Sequence, residues 1–239
     1  MNLFRYIDFE TISTCTRTCP TCIRNSHPDR ESVKSRFTPV RLDESIIFDA
    51  LRQCRELGFV GEICMSHYNE PLMDDRLPEL CSIAKSFGRV FFNSNGDLLT
   101  PQMANDLDGN VDLIIFSLYD GGREDKYAWI KSLFKKTEIT NNYSPHQTTH
   151  FSPKKDLANL IEINRGRNCI EPEIRVIISH SREYLLCCED VVGNFGLGTF
   201  PEVSIRDYWY GEKHEEIHRV LLNDGGRVNY AYCSTCPRG

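Results

Sequence analysis

Cys15-Thr16-Arg17-Thr18-Cys19-Pro20-Thr21-Cys22 sets three thiols in a CxxxCxxC spacing, directly after an apolar, strand-like run from Leu3 to Thr11. Thiolates this close can hold three corners of a four-iron four-sulfur cluster and leave the fourth iron without a protein ligand. Such an iron can bind a substrate or cofactor. More cysteines follow late in the chain: Cys169, the Cys187-Cys188 pair, Cys233 and Cys236. The competing chemistry is zinc, because the CxxC pairs Cys19/Cys22 and Cys233/Cys236 could close a tetrahedral four-thiolate site. Zinc leaves Cys15 and Glu70 without a role.

With Glu10 ahead of the loop and Tyr68-Asn69-Glu70-Pro71-Leu72 beyond it, the pattern resembles the radical S-adenosylmethionine (radical SAM) enzymes. The resemblance implies a 4Fe-4S cluster on Cys15, Cys19 and Cys22 whose open iron chelates the amino and carboxylate groups of SAM. Reductive cleavage of SAM would then give a 5'-deoxyadenosyl radical that takes a hydrogen atom from substrate, with the protein supplying position and shielding. Glu70 stands where the family carries the last residue of a GGE-like motif that meets the SAM amino group. Ser94, Asn95 and Ser117 are implied contacts to the SAM carboxylate or ribose. Thr21 precedes the third cysteine, where the family often has an aromatic residue, and its backbone is the implied adenine contact. His67 reads first as a satisfied histidine of the barrel wall, with a substrate contact as the alternative. Arg165 is expected to orient a polar substrate or to assist proton removal, although a guanidinium is a poor base; a structural salt bridge is its other reading.

The later cysteines resemble the SPASM and twitch extensions of the same family, in which a β-hairpin and a helix cradle an auxiliary cluster. Asn164-Arg165-Gly166 before Cys169 and the run Gly198 to Trp209 belong to that pattern, with Gly198-Thr199 in place of the usual Gly-Asn. Cys169, Cys187, Cys233 and Cys236 are the implied ligands of a second 4Fe-4S cluster, fully held by protein and suited to exchange electrons. Alternation along a strand gives Cys187 and Cys188 opposite faces, so one thiol ligates and the other packs in the core. Cys188 is also the candidate hydrogen donor should the reaction be an epimerisation.

Elements that could position these residues alternate along the chain. Asp43 caps a predicted helix through Leu57, a strand follows over Gly61 to Ser66, and a helix over Leu77 to Ser86. Arg89 to Phe92 reads as a strand, Thr100 to Leu107 as a helix and Val111 to Leu118 as a strand. Parallel crossovers follow from this order, and each candidate segment falls at the C-terminal end of a strand, where such sheets place their sites. The expected class is α/β: a partial (β/α) barrel, a shortened TIM barrel, over 1–160 and a small twitch subdomain over 161–239. Fifth and sixth units are inferred from the resemblance. Gly121 to Lys155 reads as a solvated polar loop, part of which, Asn141 to His150, is expected to cover the barrel mouth. Glu202 to Trp209 and Lys213 to Leu222 are expected helices, with Trp209 a core anchor.

At 239 residues with a formal charge of −6, the chain can bury a sizeable core but has no surplus of positive charge for nucleic acid. Eleven cysteines without a secretion signal point to metal or redox chemistry in the cytoplasm, and no apolar run long enough to cross a membrane is present. Cys54, Cys64 and Cys81 sit in apolar patterns and read as core. The resemblance implies a flavodoxin- or ferredoxin-type electron donor and a polar small-molecule or peptide substrate. Oxidation of an alcohol to a ketone leads, with epimerisation and peptide crosslinking as rivals.

Overall fold

The computed structural model describes residues 2–20, 22–27, 29–118, 123–141 and 157–238. Its strands are Tyr6–Phe9 (β1), Glu62–Cys64 (β2), Arg89–Ser94 (β3), Leu113–Phe116 (β4), Glu138–Asn141 (β5), Arg175–Ile178 (β6) and Tyr184–Leu185 (β7). They form one sheet in the order β5-β4-β3-β2-β1-β6-β7. Every neighbouring pair is parallel except the β6–β7 hairpin. The outer strands of that order do not pair with each other, so the described sheet is an open, partial barrel.

The helices are Ile23–Ser26 (α1), Arg30–Arg36 (α2), Glu44–Glu56 (α3), Leu77–Ala84 (α4), Pro101–Leu107 (α5), Arg123–Leu133 (α6), Leu157–Arg165 (α7), Glu171–Ile174 (α8), Ile205–Trp209 (α9) and Glu212–Leu221 (α10). In α3, Ile47, Ala50, Leu51 and Cys54 recur on one face and are buried, while the Asp43 carboxylate accepts the first-turn N–H of Ser45 at 2.8 Å. Thr100 caps α5 in the same way through Met103, and Pro101 at the first helical position has no N–H to leave unpaired. Ile7, Asp8 and Phe9 of β1 are all buried, as a strand covered on both faces requires.

One feature departs from the sequence expectation. The stretch after Gly121 contains α6 and β5, where a polar loop was expected. Tyr127, Ile130 and Phe134 supply the spacing that packs α6, but only Ile130 is completely buried, and β5 buries Ile139 alone, so the apolar signal is thin. Most of the segment expected as a lid, 142–150, lies outside the described residues. The sixth parallel strand lies beside β1 and not beyond β5. Residues of the C-terminal segment therefore extend the same sheet, and β7 turns back on β6 through Arg182, at φ 69°.

The core runs through the whole sheet and its helices. Trp209 is completely buried: its ring meets Phe4 edge-on at 5.0 Å and its indole N–H donates to the Asn2 carbonyl at 3.0 Å. The first residues of the chain are thus fastened to its C-terminal third. Trp209→Ala is expected to lower unfolding stability by about 3–5 kcal/mol, and Trp209→Phe by less, in equilibrium denaturation of the purified chain.

Candidate active site

The segments at the ends of the first four strands meet in one cavity of about 320 Å³. Cys15, Cys19 and Cys22 come from the loop after β1, His67 to Glu70 from the loop after β2, Asn93 to Asn95 from the end of β3, and Ser117 from the end of β4. Cys188, Glu189 and Arg238 close it from the C-terminal segment. Equal register along parallel strands produces this convergence, since it brings their C-terminal ends to one level.

Hydrogen bonds hold the cysteine loop to its neighbours. The Glu70 N–H donates to the Thr14 carbonyl at 2.9 Å, and the Asn95 side-chain amide donates to the Thr16 hydroxyl at 3.0 Å. Arg17 makes a two-pronged ion pair with Asp97, at 2.5 and 2.7 Å, and Lys126 joins the same carboxylate at 2.9 Å. The Cys22 N–H donates to the Cys19 carbonyl at 3.1 Å and Cys22 then opens α1. Gly96 sits in the left-handed region, at φ 69°, where a Cβ would come within 2.9 Å of the Phe116 ring; no larger residue fits beneath the loop.

The Glu70 carboxylate is 2 % exposed and accepts from the Ser94 hydroxyl at 2.7 Å and from the backbone N–H of Leu72 and Asn95, at 3.1 and 2.8 Å. Burial pushes its pKa up, against the pull of those donors, Asn95 first. A carboxylate offers about four acceptor positions, so this one staples β2 to β3 and still has room for one further donor. Ser94, Asn95 and Glu70 form a single network at the cavity wall, and Ser117 joins it by donating its N–H to the Ser94 carbonyl at 2.8 Å. Thr21 lies outside the described residues.

The late cysteines gather in a second region. Burial raises Cys169, Cys187, Cys233 and Cys236; nearby thiol charge adds to the shift, Cys169 and Cys236 acting on Cys233, and Cys188 and Cys236 acting on Cys187. The result takes Cys233 up to about 12 and Cys236 to about 11. Buried thiols that repel one another as anions suit a cationic cluster, whose charge reverses that cost. Cys188 looks elsewhere: it lines the cavity, and burial takes its thiol to about 12. The reading of Cys188 as a core residue is therefore corrected, since it belongs to the cavity wall. Among the described residues no three His, Cys, Asp or Glu groups converge tightly enough for a single metal ion.

Arg165 does not join the site. It is exposed at the last turn of α7 and is not among the residues lining the cavity. Its neighbour Asn164 is the buried member of that run, donating to the Pro237 carbonyl at 2.6 Å. Thr199, where Asn is usual, still closes its turn by accepting the Val203 N–H at 2.8 Å. Sequence reasoning missed His180, whose Nδ1 lies 2.6 Å from Glu10 Oε2 and whose Nε2 donates to the Arg36 carbonyl at 2.7 Å. Arg238 and Glu189, an ion pair on the cavity wall, were missed as well, because no motif marks them.

An open sheet of parallel strands carries a three-cysteine loop at their C-terminal ends, the arrangement expected from the resemblance to the radical SAM enzymes, and solved structures share this fold. The S-adenosyl-L-methionine-dependent 2-deoxy-scyllo-inosamine dehydrogenase of Niallia circulans is 24% identical over 240 residues, covering 98% of this chain and 93% of its own. The solved structure of BtrN in complex with AdoMet and 2-DOIA superposes with a TM-score of 0.79 at 22% identity, covering 99% of this chain and 94% of that one. Streptococcus suis SuiB bound to precursor peptide SuiA gives 0.61 at 13% identity, with 99% and 71% covered. No protein-family model matches. The resemblance read from the sequence and the expected fold class both hold. Among the described residues no helix is long and apolar enough to cross a membrane.

Asp97 offers a direct check on the loop anchor. The hydrogen bond from Arg17, followed by that from Lys126, lowers its pKa to about 2, against burial. A depressed carboxyl contributes stability that is fully present above its unfolded value near 3.8 and is lost as pH falls towards 2. Asp97→Asn is therefore expected to lower the thermal midpoint above pH 5, with the gap to the parent closing between pH 4 and pH 2, roughly the span between those two values, in melts at matched ionic strength.

Proposed function

We propose that this chain is a radical SAM oxidoreductase that oxidises a hydroxyl-bearing carbon of a polar small molecule to a ketone and passes an electron to an auxiliary iron-sulfur centre. One observation carries the reading: a single cavity is lined by the three cysteines of the first loop, by the Glu70 network and by Cys188 and Glu189 of the segment that holds the later cysteines. The donor sets fit the groups they would hold. Cys15, Cys19 and Cys22 would ligate the SAM-binding cluster, and Cys169, Cys187, Cys233 and Cys236 the auxiliary one. Once loaded, the first site supplies a one-electron reduction of SAM that yields a carbon radical able to remove hydrogen from an unactivated C–H bond.

The chain's own residues bind, orient and shield. Glu70 takes the ammonium of SAM on its remaining acceptor position, held at a fixed angle by Ser94 and Asn95. Asn95 and Ser117 stand beside it as contacts for the nucleoside or carboxylate, and the backbone at Thr21 is the proposed adenine contact. Tyr68 fixes the opposite wall, since its hydroxyl donates to the Cys188 carbonyl at 2.9 Å. The barrel core is assigned to 1–160 and the auxiliary-cluster subdomain to 161–239, docked through β6 on β1. The small-molecule substrate rests on similarity along nearly the whole chain to a dehydrogenase named for an aminocyclitol.

Epimerisation is the second reading, favoured by one feature, the Cys188 thiol in the cavity wall. Incorporation of solvent deuterium into a product of unchanged oxidation state would select it.

Anaerobic reconstitution should give about eight irons and eight sulfides per chain, and the Cys15, Cys19 and Cys22 triple alanine variant about four of each. Zinc without acid-labile sulfide would sink the assignment. Reduced, SAM-loaded protein should form one ketone per SAM consumed when given 2-deoxy-scyllo-inosamine or a related aminocyclitol.

A further inference from the structure

His67 was expected to be a satisfied wall histidine, and its ring is not satisfied. The side chain is 4 % exposed, and Nε2 is buried with no hydrogen-bond partner among the described residues. Yet the residue lines the same cavity as Cys15, Glu70 and Cys188. On the other edge of the ring, Nδ1 stands 3.6 Å from Asp8 Oδ2. Asp8 is itself held: Arg175 of β6 donates to the same oxygen at 2.5 Å, and the Asp8 side chain is 3 % exposed. Tyr68 packs against the imidazole with ring centroids 4.2 Å apart, which fixes its tilt.

A carboxylate only accepts, so the nitrogen facing Asp8 is the one that carries hydrogen in the neutral ring. The bare lone pair then sits on Nε2, on the edge of the ring away from Asp8. The 3.6 Å approach is longer than a hydrogen bond, as the contacts of catalytic groups commonly are before substrate is present.

Resting on the alcohol-oxidation reading, we infer that His67 accepts the hydroxyl proton of the substrate at Nε2, with Asp8 as the positioning residue that sets its tautomer. The balance closes without further reagents. One hydrogen atom leaves the carbinol carbon for the deoxyadenosyl radical, the hydroxyl proton passes to Nε2, and one electron goes to an iron-sulfur acceptor as the carbon-oxygen double bond forms. His67 thus fills the role that exposed Arg165 cannot fill from the end of α7.

The test uses the full chain, loaded with iron, sulfide and SAM, and 2-deoxy-scyllo-inosamine as probe. In the unreduced state, calorimetry of His67→Gln should show probe affinity within about threefold of the parent, because the glutamine amide still reaches the hydroxyl, while His67→Phe should bind about tenfold more weakly. After reduction, His67→Gln should lose about 100-fold in the rate of ketone formation with KM nearly unchanged, while still cleaving SAM. Retained cleavage separates loss of a proton acceptor from collapse of the site. Asp8→Asn should bind the probe normally and lose about tenfold in rate. Diethyl pyrocarbonate, which attacks a free imidazole nitrogen, should modify His67 in the parent and spare His180, whose two nitrogens are both engaged. Ketone formation by His67→Gln at the parent rate overturns the inference and leaves the oxidation reading standing. Modification of His180 with His67 untouched also overturns it. A parent that forms no ketone overturns the oxidation reading and, with it, the proton-transfer role.

Discussion

Parallel pairing of β1 with strands on both sides is the constraint on which the site depends. Tyr6 stands in register with Glu62 of β2 and with Arg175 of β6, and Asp8 with Cys64 and Ile177. Such register is fixed by more than backbone hydrogen bonds. Asp8 is held by Arg175, and Glu10, just past β1, is held by His180, just past β6. Buried charges are costly without partners, so a slip of one residue would strand both pairs and send apolar neighbours to the wrong face. These pairs need not add net stability to specify one alignment, and the cysteine loop, which starts five residues after Glu10, inherits that alignment.

The two cysteine regions are tied by contacts that neither region makes alone. Ile23 and Val33, from the helices that follow the first loop, pack with Val191 in a small cluster of their own, flanked by Phe37 and Tyr68. Arg24 lies over the Phe37 ring at 4.1 Å and donates to the Tyr68 carbonyl at 2.9 Å, while the Tyr68 hydroxyl reaches Cys188. At the far end, Arg227 donates to the Asn168 and Arg238 carbonyls, and Arg238 pairs with Glu189. Displacing either cysteine loop would open this packing, so their separation is set by the fold and not by the flexibility of the segments that carry them.

Legibility in the sequence followed the strength of local pattern. The three-cysteine spacing, the first four strands and helices α3, α4 and α5 were readable because their periodicity is continuous, with Asp43 capping α3 and Thr100 capping α5. Weak apolar stripes hid α6 and β5, and α1 and α2 carry only Ile23 and Val33 as buried anchors. No local signal tells β6 to sit beside β1, because the partner is over 160 residues away and nothing near Asp8 or Arg175 in the sequence marks them as a pair. The same limit hid His180 and misjudged His67: whether a histidine is satisfied depends on what other strands bring to it. Arg165 shows the converse, a residue inside a recognisable run whose neighbour Asn164 makes the buried contact.

The later thiols also shape how the C-terminal segment is held. Cys169 is tied to α10 by donating its N–H to the Leu221 carbonyl at 2.7 Å, and α7 packs on the short turn at Cys233–Thr235. Few of the connections from 222 to 238 are regular structure. Burial raises these thiols, and neighbouring thiol charge adds to the shift. By contrast, the first cysteine loop is anchored through Arg17–Asp97, Asn95 and the Glu70 backbone, none of which requires a metal. The loop at the barrel end is therefore organised by protein contacts alone, whereas the segment from 222 to 238 is held by few regular elements.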